Sequence, residues 1–386
     1  MAFRSKQSDT QTLSVLHATF ALTGVLHAIG GALLPSLAAS FQLSDSQSGS
    51  LFLCYFAGSS LAPLFCVGRY GRLMAIGFLC VTATCVGIAT ADPMFLRPLF
   101  LLLGVAVGVP MSSVSIFAGR KFTDRSAAPL TFLNFSWSLG ALIAPLLAAR
   151  LLVHHNFRAT YLVLALAALV ASAACWFMLG DPPPALTRGN LRSMANLRWI
   201  GLVAVLTFLE VGIENTTATW LATFVIRASG SGPDVAAASS SLYWCGFLAS
   251  RAIFSFVLLH VKPMRVLSAS VLVGVLASIL LIRLSGTPLR SISMLVLGAA
   301  LAPIFPLLLS RFFAHARDAA DGRFVLACCG FGGSVLPWLT GTISAHSGSL
   351  RVGLIVVPAS LIVIAALLPL LASRQPCLEH PEPQQP

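Results

Sequence analysis

Charged side chains are scarce in this chain. Only 9% of its 386 residues are Asp, Glu, Lys or Arg, whereas about a quarter of a soluble globular protein is charged. Hydrophobic residues make up 57% of the chain, and they form long runs separated by short polar breaks. This composition excludes a soluble domain and indicates an integral membrane protein that crosses the bilayer many times.

Sequence motifs for catalysis and cofactor binding are also missing. The chain has no G-x-x-x-x-G-K-[ST] phosphate loop, no nucleophile elbow, no paired-histidine zinc motif and no haem site. Eight of the nine cysteines lie within apolar runs without the spacing of metal ligands, and Cys377 lies alone near the end of the chain. We therefore expect no enzyme activity, no cofactor and no bound metal.

The net charge of +12 does not predict nucleic-acid binding, because the basic residues fall one to three at a time between apolar runs. Sixteen of the 24 Lys and Arg residues lie on the side of the amino terminus, seven on the other side, and Arg251 within a span. The positive-inside rule then predicts that both termini lie in the cytoplasm. The expected location is the inner (plasma) membrane of the cell. The first apolar run is too long for a cleavable signal peptide and is expected to stay as an anchor.

Twelve spans are expected, and a polar loop divides them six and six. The spans are residues 13–38, 48–67, 73–91, 95–118, 129–152, 159–179, 199–226, 237–260, 264–284, 289–313, 323–345 and 350–372. The predicted segments are a cytoplasmic stretch 1–12, a bundle 13–179, a central cytoplasmic loop 180–198, a second bundle 199–372 and a tail 373–386. The tail is rich in Pro, Glu and Gln and is expected to be disordered.

The two groups of six spans share short motifs, which indicates an internal duplication. The matches are Tyr55-Phe56-Ala57-Gly58 with Tyr243-Trp244-Cys245-Gly246, Leu103-Gly104 and Pro110 with Leu297-Gly298 and Pro303, and Gly140 and Pro145 with Gly332 and Pro337. Each pair is separated by six spans. The fold class expected from this pattern is all-α, with twelve transmembrane helices in two pseudo-symmetric halves.

This arrangement resembles the major facilitator superfamily, and the segment from Gly68 to Arg72 is similar to that superfamily's loop after the second helix. Further segments resemble the fucose:proton symporter branch: Gly31–Pro35, Glu210–Trp220, Ser250-Arg251 and Gly330–Pro337. Sugar symporters of that branch carry an aspartate in the first helix and a glutamate in the fourth. This chain has Gly31 and, near the second position, Met111 and Ser112 instead.

Two acids in the seventh span are the strongest functional candidates. Glu210 and Glu214 are four residues apart and therefore share one helical face. Glu210 lies about 16 Å into the span, near the middle of a hydrocarbon layer about 30 Å thick. Intramembrane acids at such depth face a partner or a cavity and often carry protons. A structural ion pair, or an acid that never ionises, is the alternative.

Two further groups are expected to take part in proton coupling. Arg251 matches Glu210 in depth, so an ion pair between the seventh and eighth spans is predicted, although a gate residue reaching the cytoplasmic boundary also fits. His27 in the first span is level with Glu214 and is a candidate to share its proton, or else an ordinary packing residue.

Aromatic rings and amides suit a sugar-like solute, because rings stack on apolar faces and amides bond to hydroxyls. Ordinary helix packing explains each such residue equally well. The candidate solute contacts are Tyr55, Asn134, Trp137, Asn215, Trp220, Tyr243, Trp244 and Trp338.

The expected function is proton-driven secondary active transport of a small organic solute by alternating access. The expected partners are the solute, protons and membrane lipid, and the carrier is expected to be a monomer. Efflux of a hydrophobic or amphipathic compound by proton antiport is an alternative. A non-transporting receptor built on a carrier fold is another, but the loops are too short for a soluble output domain.

Overall fold

The structure is a computed structural model that describes residues 2–66, 68–121, 127–180, 197–284, 286–313 and 319–372. Within these ranges the chain is almost entirely α-helical and contains no strand. The helices are α1 (Ala2–Phe41), α2 (Asp45–Leu61), α3 (Tyr70–Thr90), α4 (Leu96–Lys121), α5 (Ala127–Leu152), α6 (Phe157–Met178), α7 (Leu197–Ser229), α8 (Pro233–Val257), α9 (Pro263–Arg283), α10 (Thr287–Leu301), α11 (Ile304–Phe313), α12 (Ala319–Ser347), α13 (Leu350–Gly353) and α14 (Val356–Ala372).

Fourteen described helices account for the twelve predicted spans. The tenth span is broken at Ala302 and Pro303 into α10 and α11, and the twelfth is divided into α13 and α14. Ten helical segments of the described ranges are long and apolar enough to cross a membrane. Helix α8 is less apolar because it carries Arg251 and the serines 239–241. The predicted all-α, polytopic fold is confirmed, whereas most of loop 180–198 and the whole tail lie outside the described residues.

The start of α2 follows from its sequence. Ser44 accepts a hydrogen bond from the backbone of Gln47, and the Gln47 side chain accepts one from the backbone of Ser44. This reciprocal capping box satisfies two backbone donors that a helix otherwise leaves without partners. The predicted N-cap chemistry at Leu43-Ser44-Asp45 is therefore present, and it fixes where α2 begins.

The same helix pairs pack together in both halves. Helix α1 packs on α5, α2 on α4 and α3 on α6, and the equivalent pairs are α7 on α12, α8 on α10 and α9 on α14. Between the halves, α2 packs on α12 and α5 on α8, while α1 and α7 meet at the axis that relates them. Helices α4 and α11 pack mainly within their own halves.

Glycines of the repeated motifs allow these helices to approach closely. In each case a side-chain Cβ would collide with a backbone carbonyl oxygen of the neighbouring helix. The contacts in the first half are Gly58 with Leu101, Gly104 with Tyr55 and Gly140 with Ala21, and those in the second are Gly246 with Leu295, Gly298 with Tyr243 and Gly332 with Phe208. Because lipid offers no hydrophobic drive for helix association, such backbone proximity is a main source of packing energy. The sequence repeat is thus a repeat of helix contacts.

We expect Gly298→Ala to destabilise the protein by about 1–3 kcal/mol, because the added methyl group overlaps the Tyr243 carbonyl and forces α8 and α10 apart. Thermal unfolding in detergent measures the change. Gly201→Ala in α7 is the matched control, since nothing lies within 4 Å of its Cβ position, and its stability should be equal or higher. Equal losses in both variants would contradict the packing role of Gly298.

Candidate functional site

Many of the predicted site residues meet where the two halves face each other. His27 on α1, Trp137 on α5, Asn215 on α7 and Trp244 on α8 belong to one cluster of side chains. The cluster lies far from both ends of these long helices. It therefore occupies the depth at which a carrier with a central site would bind its solute.

His27 and Asn215 form a hydrogen bond across the pseudo-symmetry axis. The distance from His27 Nε2 to Asn215 Oδ1 is 3.1 Å. Both residues follow a glycine by three positions, Gly24 on α1 and Gly212 on α7, and these glycines pack on α5 and α12. His27 was expected to face Glu214, but its Nε2 bonds to the next residue of α7 instead.

The position of Asn215 depends on α12. The Asn215 amide lies directly against the α12 backbone at Gly333, where a Cβ would force the amide nitrogen Nδ2 to move. Asn215 is only 3% exposed, and its amide is held between α12 and His27. This arrangement connects α1, α7 and α12 through one polar side chain.

A series of aromatic rings continues from His27 into the second half. The ring centroids of His27 and Trp137 are 5.1 Å apart, those of Trp137 and Trp244 are 6.0 Å apart, and those of Trp244 and Tyr243 are 5.1 Å apart, all edge-on. Tyr55 lies on the other side of His27 at 6.4 Å. We call Tyr55, His27, Trp137, Trp244 and Tyr243 the aromatic bridge, because they join the halves through ring contacts.

Glu210 is completely buried on α7, with 0% exposure. Neither of its carboxyl oxygens accepts a hydrogen bond from any residue in the described ranges. Glu214, one turn further along α7, is partly exposed. An ionised carboxylate without donors is strongly disfavoured in such surroundings, whereas a neutral acid costs much less.

Arg251 joins α8 to the opposite half. Its Nη1 donates to Ser138 Oγ on α5 at 2.9 Å, and its guanidinium lies 4.5 Å from the ring centroid of Phe247 and 5.9 Å from that of Trp137. The sequence predicted pairing with Glu210 instead, yet no hydrogen bond reaches the carboxyl oxygens of Glu210 from the described residues. Arg251 therefore contacts Ser138 and Trp137 in the half to which it does not belong.

The other predicted solute contacts differ in their surroundings. Trp220 is 0% exposed, and its Nε1 donates to the Pro337 carbonyl at 2.9 Å, which ties α7 to α12. Tyr243 is also completely buried, but its hydroxyl has no partner among the described residues. Asn134 is exposed on α5, and Trp338 on α12 is partly exposed.

Two residues of the cluster, Ser138 and Phe247, were not predicted. Both contact Arg251, but serine and phenylalanine are common in membrane helices and give no distinct signal. The described residues contain no group of three or more His, Cys, Asp or Glu side chains that is able to hold a metal ion.

Comparisons with known proteins agree on the family. The family model described as the Major Facilitator Superfamily matches residues 16–325. A glucose/galactose transporter of Brucella abortus is 25% identical over 87% of this chain and 88% of its own. A bacterial homologue of the human lysosomal transporter Spinster superposes with a TM-score of 0.78 at 11% identity, over 95% of this chain and 97% of its own. FucP in its outward conformation gives 0.65 at 15% identity, over 93% and 98%.

We expect Trp220→Phe to lower the free energy of unfolding by about 1 kcal/mol, because the hydrogen bond to Pro337 is lost. Thermal unfolding in detergent is the measurement. Trp244→Phe is the matched control and should lose less, as its ring contacts are largely kept by phenylalanine. Wild-type stability of Trp220→Phe together with reduced solute exchange would instead assign Trp220 to solute binding.

Proposed function

The chain belongs to the Major Facilitator Superfamily, and we propose that it imports a small sugar-like solute together with protons. As a member of this family it is a multi-pass membrane transporter and not an enzyme. The observation that carries the proposal is Glu210, a completely buried acid without a hydrogen-bond partner among the described residues, on the helix that also places Asn215 against His27.

Glu210 is the proposed proton carrier. A carboxylate buried without donors would be too costly to persist charged, so the acid is protonated in the observed arrangement. Arg251 bonds to Ser138 rather than to Glu210, as expected when the acid is neutral. When the proton leaves, the charged acid attracts Arg251, which must then release Ser138 and with it the other half.

Glu214 and His27 are the proposed relay to water. Glu214 is partly exposed and shares one face of α7 with Glu210, so it is placed to pass protons between water and the buried acid. His27 is held by Asn215 next to this face, and an imidazole ring has one nitrogen that donates a proton and one that accepts a proton. These groups set the rate of proton transfer, whereas Glu210 sets the coupling.

The aromatic bridge is the proposed solute platform. Tryptophan faces stack on the apolar faces of sugar rings, and the Tyr243 hydroxyl is a donor that needs a partner. The similarity to a glucose/galactose transporter supports a hexose. The chain lacks the two acids that the fucose:proton symporters carry in their first and fourth helices, so we propose a sugar other than fucose. The similarity to FucP is a similarity of fold.

The proposed location is the inner membrane, with both termini in the cytoplasm. The excess of basic residues on the side of the amino terminus supports this orientation. The halves are joined at α2–α12, α5–α8 and α1–α7, while α4 and α11, which end at the cytoplasmic side, stay mainly within their halves. We propose that the halves rock about the central cluster and that a monomer suffices.

Glu210→Gln is expected to abolish uphill accumulation and to keep solute exchange, because the amide resembles the protonated acid in shape but cannot release or take up a proton. In proteoliposomes, a one-unit pH gradient is worth about 1.4 kcal/mol and therefore drives about tenfold accumulation in a one-to-one symporter. We expect a ratio near one in the variant, with counterflow of labelled hexose preserved.

Glu214→Gln is the matched control, since it changes the same group one turn away. A relay affects only the rate, so accumulation should be slower but reach the wild-type ratio. Wild-type accumulation by Glu210→Gln would refute coupling at this acid. Counterflow of amphipathic drugs without any counterflow of sugars would favour efflux.

Tyr243→Phe is expected to weaken hexose binding about fivefold to twentyfold, because one hydroxyl contact worth about 1–1.7 kcal/mol is lost. Its thermal stability should stay equal or rise, since the hydroxyl has no partner in the described protein. Tyr55→Phe is the matched control, because Tyr55 is the residue of the first half that corresponds to Tyr243. The Tyr55 hydroxyl donates to the Leu26 carbonyl, so the thermal stability of this variant should fall while its hexose affinity changes less. The reverse order of effects on hexose affinity would contradict the assignment.

A further inference from the structure

An ion pair joins the two halves at one end of the bundle. Asp45 begins α2 in the first half, and Arg227 lies in the last turn of α7 in the second half. We call this end, where α1 ends and α2 begins, the far end, because it lies opposite the amino terminus. The proposed orientation makes it the outer side.

The contact has two parallel hydrogen bonds. Arg227 Nη1 donates to Asp45 Oδ2 at 2.7 Å, and Arg227 Nη2 donates to Asp45 Oδ1 at 2.6 Å. Ser344 Oγ, near the end of α12, donates to Asp45 Oδ2 at 2.5 Å. Such two-pronged pairing is among the stronger polar contacts available to side chains. One carboxylate of the first half therefore holds two helices of the second.

The burial of this contact is uneven. The Asp45 side chain is 13% exposed, whereas that of Arg227 is 47% exposed. The acid also lies in the first turn of α2 and the base in the last turn of α7, where the helix dipoles favour these charges. Each group therefore stays charged when the halves separate, and the pair is able to break and form again.

The backbone also closes tightly here. A Cβ at Gly341 of α12 would collide with the carbonyl of Asp45. Gly49, one turn further along α2, lies against the backbone of Trp338 in the same way. The helices α2 and α12 thus touch directly beside the ion pair.

We propose that Asp45, Arg227 and Ser344 form a latch that holds the far end of the central cleft shut. The latch must open before a solute can enter or leave at that end. It rests on the carrier function of the family and not on Glu210, so it would serve import and efflux alike.

The latch has no counterpart at the equivalent position of the second half. Asp234 lies in the first turn of α8, as Asp45 does in α2. It is partly exposed and forms no ion pair with a residue of the described ranges. The repeat therefore supplies a matched control residue within the same molecule.

Hydrogen–deuterium exchange on the full-length protein in detergent, without solute or gradient, tests the latch. Asp45→Asn should speed backbone exchange about twofold to fivefold in residues 42–52, 222–232 and 338–348, because the loss of a partly exposed ion pair makes local opening easier by about that factor. Asp234→Asn should leave exchange in these segments as in the wild type.

Arg227→Gln separates a latch from a local effect on the start of α2, because it removes the ion pair and leaves the first turn of α2 unchanged. It should speed exchange in 42–52 and 338–348 about as much as Asp45→Asn does. A wild-type rate in Arg227→Gln would overturn the proposal, as would a wild-type rate in Asp45→Asn or equal effects of both asparagine variants. Because proton coupling plays no part in this measurement, its failure leaves the proposed function standing.

Discussion

The close approach of helix backbones at paired glycines is the constraint on which the rest of the structure depends. Helices in lipid gain little from burying apolar surface against each other, so packing requires backbones that lie near enough for dispersion and weak polar contacts. Gly140 and Gly332 place α1 on α5 and α7 on α12 in this way. That packing in turn brings His27 and Asn215 to the axis between the halves.

At that axis the molecule combines rigid and releasable contacts. Within each half, glycines lock helix pairs together, and replacing them is expected to cost stability. Between the halves, glycine contacts such as that of Gly341 with the Asp45 carbonyl occur together with polar and edge-on contacts, namely Arg251 with Ser138 and Trp137 with Trp244. The polar and edge-on contacts break without leaving large cavities, which is what two bodies that rock against each other need. In the proposed cycle, the loss of a proton from the buried Glu210 weakens the Arg251–Ser138 contact between the halves.

Much of the fold could be predicted from the sequence, because length, apolarity and glycine spacing are local properties that lipid enforces on every helix. The division of the twelfth span was not predicted, and the tenth span breaks at Pro303 although α4 continues through the matching Pro110. The position of Glu210 within the length of its helix could also be predicted, from the rise per residue. This position, however, does not tell which neighbouring helix the side chain faces.

Partners in the site depend on the rotation of each helix about its axis, and one residue changes that direction by about 100°. His27 meets Asn215 instead of Glu214 for this reason, although the two are adjacent on α7. The Arg251–Ser138 contact joins the two halves, and nothing in the sequence around either residue predicts the other as its partner.

The edge-on contact of Trp137 and Trp244 gives the protein a built-in optical reporter, because the two indoles belong to different halves and the Arg251 guanidinium lies near Trp137. A movement of one half relative to the other changes the distance between these two indoles, so we expect the intrinsic fluorescence to change with the movement without an attached dye.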